Sequence, residues 1–134
     1  MTGLLVNIDV DDIEHAIEFY REALGLKVAR RFGATAAEMT GSSAPIYLLE
    51  KKPGTIAFKN GPERDYARHW TPVHLDFVVP DIRVALENAI EAGGKVEGKL
   101  RTEKWGHIVF MSDPFGNGFC LIEFIGRGYD EILG

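Results

Sequence analysis

The stretch Val6-Asn-Ile-Asp-Val-Asp-Asp-Ile-Glu-His-Ala-Ile-Glu-Phe-Tyr-Arg-Glu-Ala-Leu-Gly-Leu26 decides the fold. Its opening, from Leu4 to Val10, alternates apolar residues with Asn7 and Asp9, the period-two pattern of a strand. Asp12 then stands where a helix N-cap belongs, because a carboxylate there accepts the orphan N–H groups of the first turn. Ile13, Ile17, Tyr20 and Leu24 recur at three- and four-residue steps, and Ala16 and Phe19 widen the stripe. Gly25 follows where the helix should stop.

Three further strands follow: Leu26 to Phe32, Thr35 to Thr40 and Pro45 to Lys51, with Gly33 and Gly41-Ser42-Ser43 as the turns. The same order then recurs. Val73 to Val79 reads as a strand and Asp81 as a cap. Ile82 to Ala92 reads as a helix ended by Gly93-Gly94, and Lys95 to Arg101, Gly106 to Ser112 and Phe119 to Ile125 as strands. The letters agree as well as the order: Val6-Asn-Ile-Asp9 against Val73-His-Leu-Asp76, and Asp12-Ile13 against Asp81-Ile82. A period of half the chain indicates a duplicated unit rather than a solenoid. The expectation is one α+β domain over residues 1–134, built from two β-α-β-β-β repeats (about 4–51 and 72–126), with a connection at 52–71 and a tail at 127–134. A short ordered piece is expected in the connection at Tyr66 to Trp70.

Composition fits that size. The apolar share is 46%, the charged share 26% and the net charge −5, with no acidic or basic run. A nucleic-acid binder needs a basic stripe, so nucleic acid is not an expected partner. No window approaches the roughly 18 apolar residues of a membrane span. The N-terminal Met-Thr-Gly lacks a basic n-region, and the one cysteine, Cys120, cannot form an internal disulfide. The expected setting is therefore cytoplasmic.

Two motifs carry a family resemblance: Ile17-Glu-Phe-Tyr20 with Ala23-Leu-Gly-Leu26, and the closing turn Asp113-Pro-Phe-Gly-Asn117 leading into an apolar strand. Together they resemble the vicinal-oxygen-chelate superfamily of glyoxalase I, bleomycin-resistance proteins and extradiol dioxygenases. The resemblance covers nearly the whole chain. It implies a U-shaped sheet from each half, a ligand held between them, and a homodimer. In the metal enzymes of that superfamily four positions, usually His and Glu, hold a divalent ion that polarises the substrate as a Lewis acid.

Counting those positions onto this chain gives Leu5, Tyr47, His74 and Cys120, with Asn7 in place of Leu5 if the strands rather than the caps are aligned. Only His74 keeps the family identity. Glu123 lies three residues beyond Cys120 and so points to the other face. A histidine and a thiolate are half a zinc site. No resident metal or other cofactor is therefore expected, with a divalent metal as the alternative.

The remaining candidates line the concave side. Asn7, Asp9, Tyr47, Trp105 and Cys120 are candidate ligand-binding residues, and His74 with Asp76 a candidate acid–base pair. Two carboxylates beside a histidine favour its charged form, which suits a proton shuttle. Equally, Asp9 and Asp76 are open to being solvated strand ends or partners of an arginine across a dimer interface. Tyr66, Trp70 and Phe115 are possible walls, the first two on a lid, and Arg64 and Arg68 a possible anion clamp. His69 and His107 have no evident partner. Two functions follow: a metal-free small-molecule binder of the bleomycin-resistance kind, or a glyoxalase- or dioxygenase-type lyase, isomerase or dioxygenase. The changed ligand positions favour the first.

Overall fold

Asp12 and Asp81 do cap the two helices, α1 (Ile13–Leu24) and α2 (Ile82–Glu91), in the computed structural model, which describes residues 1–134. The Asp12 carboxylate accepts from His15 N–H, and that of Asp81 from Arg83 and Val84 N–H. A second carboxylate completes each cap from far along the chain. Glu50 accepts from Ile13 N–H at 3.0 Å, and Glu123 from Ile82 N–H at 2.8 Å. Each cap hydrogen bond contributes about 1 kcal/mol, and the negative charge also suits the positive end of the helix. Gly25 leaves α1 at φ 69°, a left-handed conformation that glycine adopts without Cβ strain.

The strands of the first half are β1 (Val6–Val10), β2 (Lys27–Phe32), β3 (Ala36–Thr40) and β4 (Ile46–Glu50), ordered β1-β4-β3-β2 in one sheet. Those of the second are β5 (Leu75–Val78), β6 (Lys95–Val96), β7 (Arg101–Glu103), β8 (Gly106–Ser112) and β9 (Gly118–Phe124), ordered β5-β9-β8-β6 with β7 also on β8. In each half the first strand runs parallel to the last. The register sets Asn7 opposite Tyr47 and Asp76 opposite Cys120. Asn7 thus corresponds to Asp76, and Leu5 to His74, so counting from the caps is the correct alignment.

One face of both sheets is covered by the helices in a single core, which holds Phe19, Met39, Leu48, Ile82, Val109 and Leu121. Across the halves, Phe19 of α1 packs edge-on to Phe119 of β9, with 6.3 Å between ring centroids. The opposite face of the second sheet carries a smaller cluster of Ile108, Cys120 and Ile122 under Trp105.

Three details depart from the sequence reading. The strand expected from Lys95 to Arg101 is two strands. Val96 pairs with Met111 and Arg101 with Ile108, and Glu97 N–H still donates to Phe110 C=O, so residues 98–100 leave the β8 ladder while Leu100 packs onto the core. His74 precedes β5 rather than lying within it. The tail contains a 3-10 turn, Gly128–Ile132, whose Tyr129 packs on Trp105.

Candidate functional site

A cleft of about 700 Å³ opens between β1 and β5, the edge strands of the two sheets. The core supplies Tyr20, Phe77 and Phe119 to its wall, and the connection between the halves supplies Phe58, Arg64 and Tyr66. Asn7 and Asp9 reach it from β1 and His74 from the approach to β5.

The connection is ordered by specific bonds rather than by regular structure. Residues 54–64 form a small hairpin with an isolated bridge, Ile56 to Glu63, and a tight turn closed by Gly61 N–H to Phe58 C=O at 2.9 Å. Arg64 Nε donates to Asp9 Oδ2 at 2.8 Å, and Tyr66 donates its hydroxyl to Lys51 C=O at 2.6 Å. The ordered piece expected at Tyr66 to Trp70 is irregular backbone, pinned by side chains. Arg68 forms a two-pronged pair with Glu97, at 2.5 and 2.9 Å, and His69 N–H donates to Gly116 C=O. The Arg68–Glu97 hydrogen bonds lower the Glu97 pKa and raise that of Arg68. Both arginines considered for an anion clamp are paired with carboxylates of this chain.

The turn Asp113–Asn117 locks the back of the cleft. Asp113 is buried, and its two oxygens accept four hydrogen bonds, from Phe115 N–H, Asn117 N–H, the Asn117 amide and the Tyr20 hydroxyl. Burial first, and then the Asp113 charge, pushes the Tyr20 phenol well above its usual range. Asn117 Oδ1 lies 3.1 Å from His69 Nε2, so helix, turn and connection form one network. Asn117 and Tyr20 belong to the family motifs but were not assigned to the site from the sequence. Their signal was only an Asx residue at a strand entry and an apolar helix position. Phe115, an expected wall, is buried against His15 instead, at 5.1 Å between rings.

Beside the cleft lies a second cluster. His74 Nε2 sits 3.1 Å from Asp76 Oδ1, and ligand atoms of His74, Asp76 and Cys120 lie within 4.8 Å of one another. The Cys120 thiol is fully buried, and that burial, with the Asp76 charge second, pushes its pKa up to about 12. A thiol so held is a hydrogen-bond donor and not a nucleophile at neutral pH. Cys120 also lines a small pocket of about 100 Å³ with His74 and Trp70.

The other candidates lie apart. Tyr47 lines neither cavity and donates its hydroxyl to Glu38 at 2.5 Å, while Phe32 stacks on its ring. Arg30 grips Glu38 with two bonds of 2.8 Å. Trp105 packs with Phe124 and Tyr129, His107 pairs with Thr102, and Asp76 faces its own histidine. Of the residues expected on the concave side, the fold thus gathers Asn7, Asp9 and His74 in the cleft, and His74, Asp76 and Cys120 next to it.

The Arg30–Glu38–Tyr47 group carries a pH signature. Hydrogen bonds from Arg30, and then from Tyr47, lower the Glu38 carboxyl from an ordinary 4.5 to about 2. The unfolded chain then binds the extra proton first as pH falls, so the stability this group contributes is complete above pH 4.5 and is lost toward pH 2. Glu38→Gln is expected to melt lower than wild type above pH 5 and to show a flatter dependence of Tm on pH below 4.5. Parallel slopes in thermal melts across that range would count against the group.

Comparison with known proteins adds three findings. A family model described as a glyoxalase-like domain matches residues 5–122. Among curated proteins, the anthracycline biosynthesis protein DauV of Streptomyces sp. (strain C5) is 29% identical over 118 residues, 88% of this chain and 40% of that protein. The corresponding protein DnrV of Streptomyces peucetius is 27% identical over 129 residues, 96% of this chain and 43% of its own length. The chain thus spans about two fifths of the curated relatives it matches. Among solved structures, a glyoxalase family protein from Bacillus cereus superposes with a TM-score of 0.73 at 18% identity, covering 94% of this chain and 96% of that one.

Proposed function

Because the chain belongs to the glyoxalase-like domain family and has its two-unit α+β fold, we propose that it binds a small molecule in the β1–β5 cleft without that family's full metal centre. The carrying observation is the cleft itself. Its volume of about 700 Å³ lies within the range of ligand sites, and its wall combines aromatic and aliphatic side chains with converging polar and charged ones. The names of DauV and DnrV refer to anthracycline biosynthesis. That favours an aromatic natural product as ligand class.

The four metal positions do not fit an ion. Leu5 offers no donor atom, Tyr47 is committed to Glu38, and the buried Cys120 thiol resists ionisation. A second reading, a metal-dependent lyase, isomerase or dioxygenase, draws on the His74, Asp76 and Cys120 atoms within 4.8 Å of one another. Elemental analysis of chelator-free protein, with His74→Ala beside it, separates the two. The expected result is no stoichiometric metal in either. One Ni, Zn, Fe or Mn per chain that vanishes in His74→Ala would reverse the assignment.

The same reading pictures a homodimer in the cytoplasm, where a lone thiol stays reduced. The single chain exposes 8464 Å², against roughly 7,000 Å² for a folded monomer of this mass. That excess is larger than the roughly 800 Å² each partner loses in a standard interface. β2 is exposed along its whole length, with Val28 and Phe32 open to solvent. Light scattering is expected to give twice the 14.9 kDa chain mass. A monomer at about 50 µM, where even a micromolar Kd would leave mostly dimer, would remove the dimer from the proposal.

A further inference from the structure

We infer that the cleft selects a positively charged aromatic compound, an amine or amidine on a flat ring system, seated with its charge against Asp9. This rests on the small-molecule reading above and names the ligand class for that site.

The flat part follows from the walls. Phe58, Tyr66, Phe77 and Phe119 all face the cleft, and its volume accommodates a two- to four-ring system. Phe58 is 65% exposed on its tight turn, so its ring is open to a ligand in the cleft.

The charge follows from the side chains and their partners. The wall carries three carboxylates, Asp9, Glu63 and Asp65, against one guanidinium, that of Arg64. The charge of Arg64 is already paired with Asp9 through Nε, its Nη1 donates to Thr55, and only Nη2 is left without a partner in the chain. No lysine lines the cleft. Asp9, by contrast, has capacity left. Only its Oδ2 is engaged by a side chain, and the carboxylate stays 40% exposed after pairing. Asn7 lies two residues away on the same face of β1 and has no hydrogen bond to its side-chain amide within the chain. A cation here meets a free carboxylate oxygen and an amide carbonyl. An anion meets two uncompensated acids in a chain of net charge −5.

Three probes of one shape and three charges test this at pH 7.5: 9-aminoacridine (cation), acridine (neutral) and acridine-9-carboxylate (anion). Each is titrated into the full chain by fluorescence and calorimetry. The cation is expected to bind about tenfold tighter than acridine, with the carboxylate weakest, and the gap to narrow with added salt. Asp9→Asn removes the ion-pair partner of Arg64, so it is expected to lose the preference for 9-aminoacridine and to gain affinity for acridine-9-carboxylate. Glu63→Gln gives the same direction at smaller size and stands in should Asp9→Asn fold poorly. Phe58→Ala is expected to weaken all three probes alike, which places them in this cleft. Equal affinity for the three, or a preference for the anion, overturns the charge inference and leaves the small-molecule reading standing. Failure of all three to bind at 1 mM overturns both.

Discussion

Asp113→Ala is expected to lower the unfolding free energy by about 3–5 kcal/mol, because each buried polar group left without its partner costs about 1–3 kcal/mol. The carboxylate is 3% exposed and accepts from Phe115 N–H at 2.9 Å, Asn117 N–H at 2.9 Å, the Asn117 amide at 3.0 Å and the Tyr20 hydroxyl at 2.6 Å. Alanine removes every acceptor at once. It strands a fully buried phenol and two backbone donors in a turn that leads directly into β9. Thermal and urea melts should show a fall in Tm of about 10 °C or more. Tyr20→Phe deletes one of the four bonds and should cost only about 1–2 kcal/mol. The two costs should not add in the double variant, since the bonds share one carboxylate. A loss below about 1 kcal/mol for Asp113→Ala would mean that water replaces the carboxylate, and that the turn is not the closed network described.

Gly116→Val is expected to be the most damaging change for the cleft. Gly116 sits at φ 84°, where an L side chain costs about 1–2 kcal/mol, and a Cβ would stand 2.3 Å from Ala67 C=O and 2.8 Å from Tyr66 C=O. Both obstacles are backbone of the connection, so the connection must move or the turn must. Moving it breaks the bond from His69 N–H to Gly116 C=O and pulls Tyr66 from the cleft wall. The variant should lose about 3 kcal/mol or more and bind 9-aminoacridine at least about tenfold more weakly at temperatures where it is still folded. Gly25→Ala is the comparison. Its φ is 69° and nothing lies within 4 Å of the added Cβ, so it should cost only the conformational part, about 1–2 kcal/mol. Equal stability losses for the two variants, with binding retained in Gly116→Val, would show that the close approach does not hold the connection in place.

Much of the fold was legible from local pattern. The strand of Val6 to Val10, the Asp12 cap, the stripe on α1 and the Gly25 exit are each decided within a few residues, and their recurrence from Asp76 to Gly93 doubled the signal. Counting from Asp113 gave Cys120, with Tyr47 as its first-half counterpart, and the registers set Tyr47 opposite Asn7 and Cys120 opposite Asp76. The caps show the limit of this reasoning. Glu123 was assigned correctly to the face away from Cys120, yet its purpose, to complete the start of α2 from 41 residues downstream, has no local trace. Its counterpart Glu50 does the same for α1 over 37 residues.

The pairing of charges was not legible at all. Arg64 and Arg68 looked free for an anion because their nearest acids in sequence are not the ones they meet. Asp9 lies 55 residues from Arg64, and Glu97 lies 29 from Arg68. The sequence by itself determined the duplicated α+β unit and its caps, since periodicity and turn chemistry act over a few bonds. Tertiary structure alone decided that the ligand-sized space lies between β1 and β5, that Tyr47 turns to Glu38 instead of joining His74, and that the connection walls the cleft. Those outcomes depend on which long polar side chains meet once the helices have brought the two sheets together, and hydrogen-bond geometry between distant segments leaves no spacing in the chain to read.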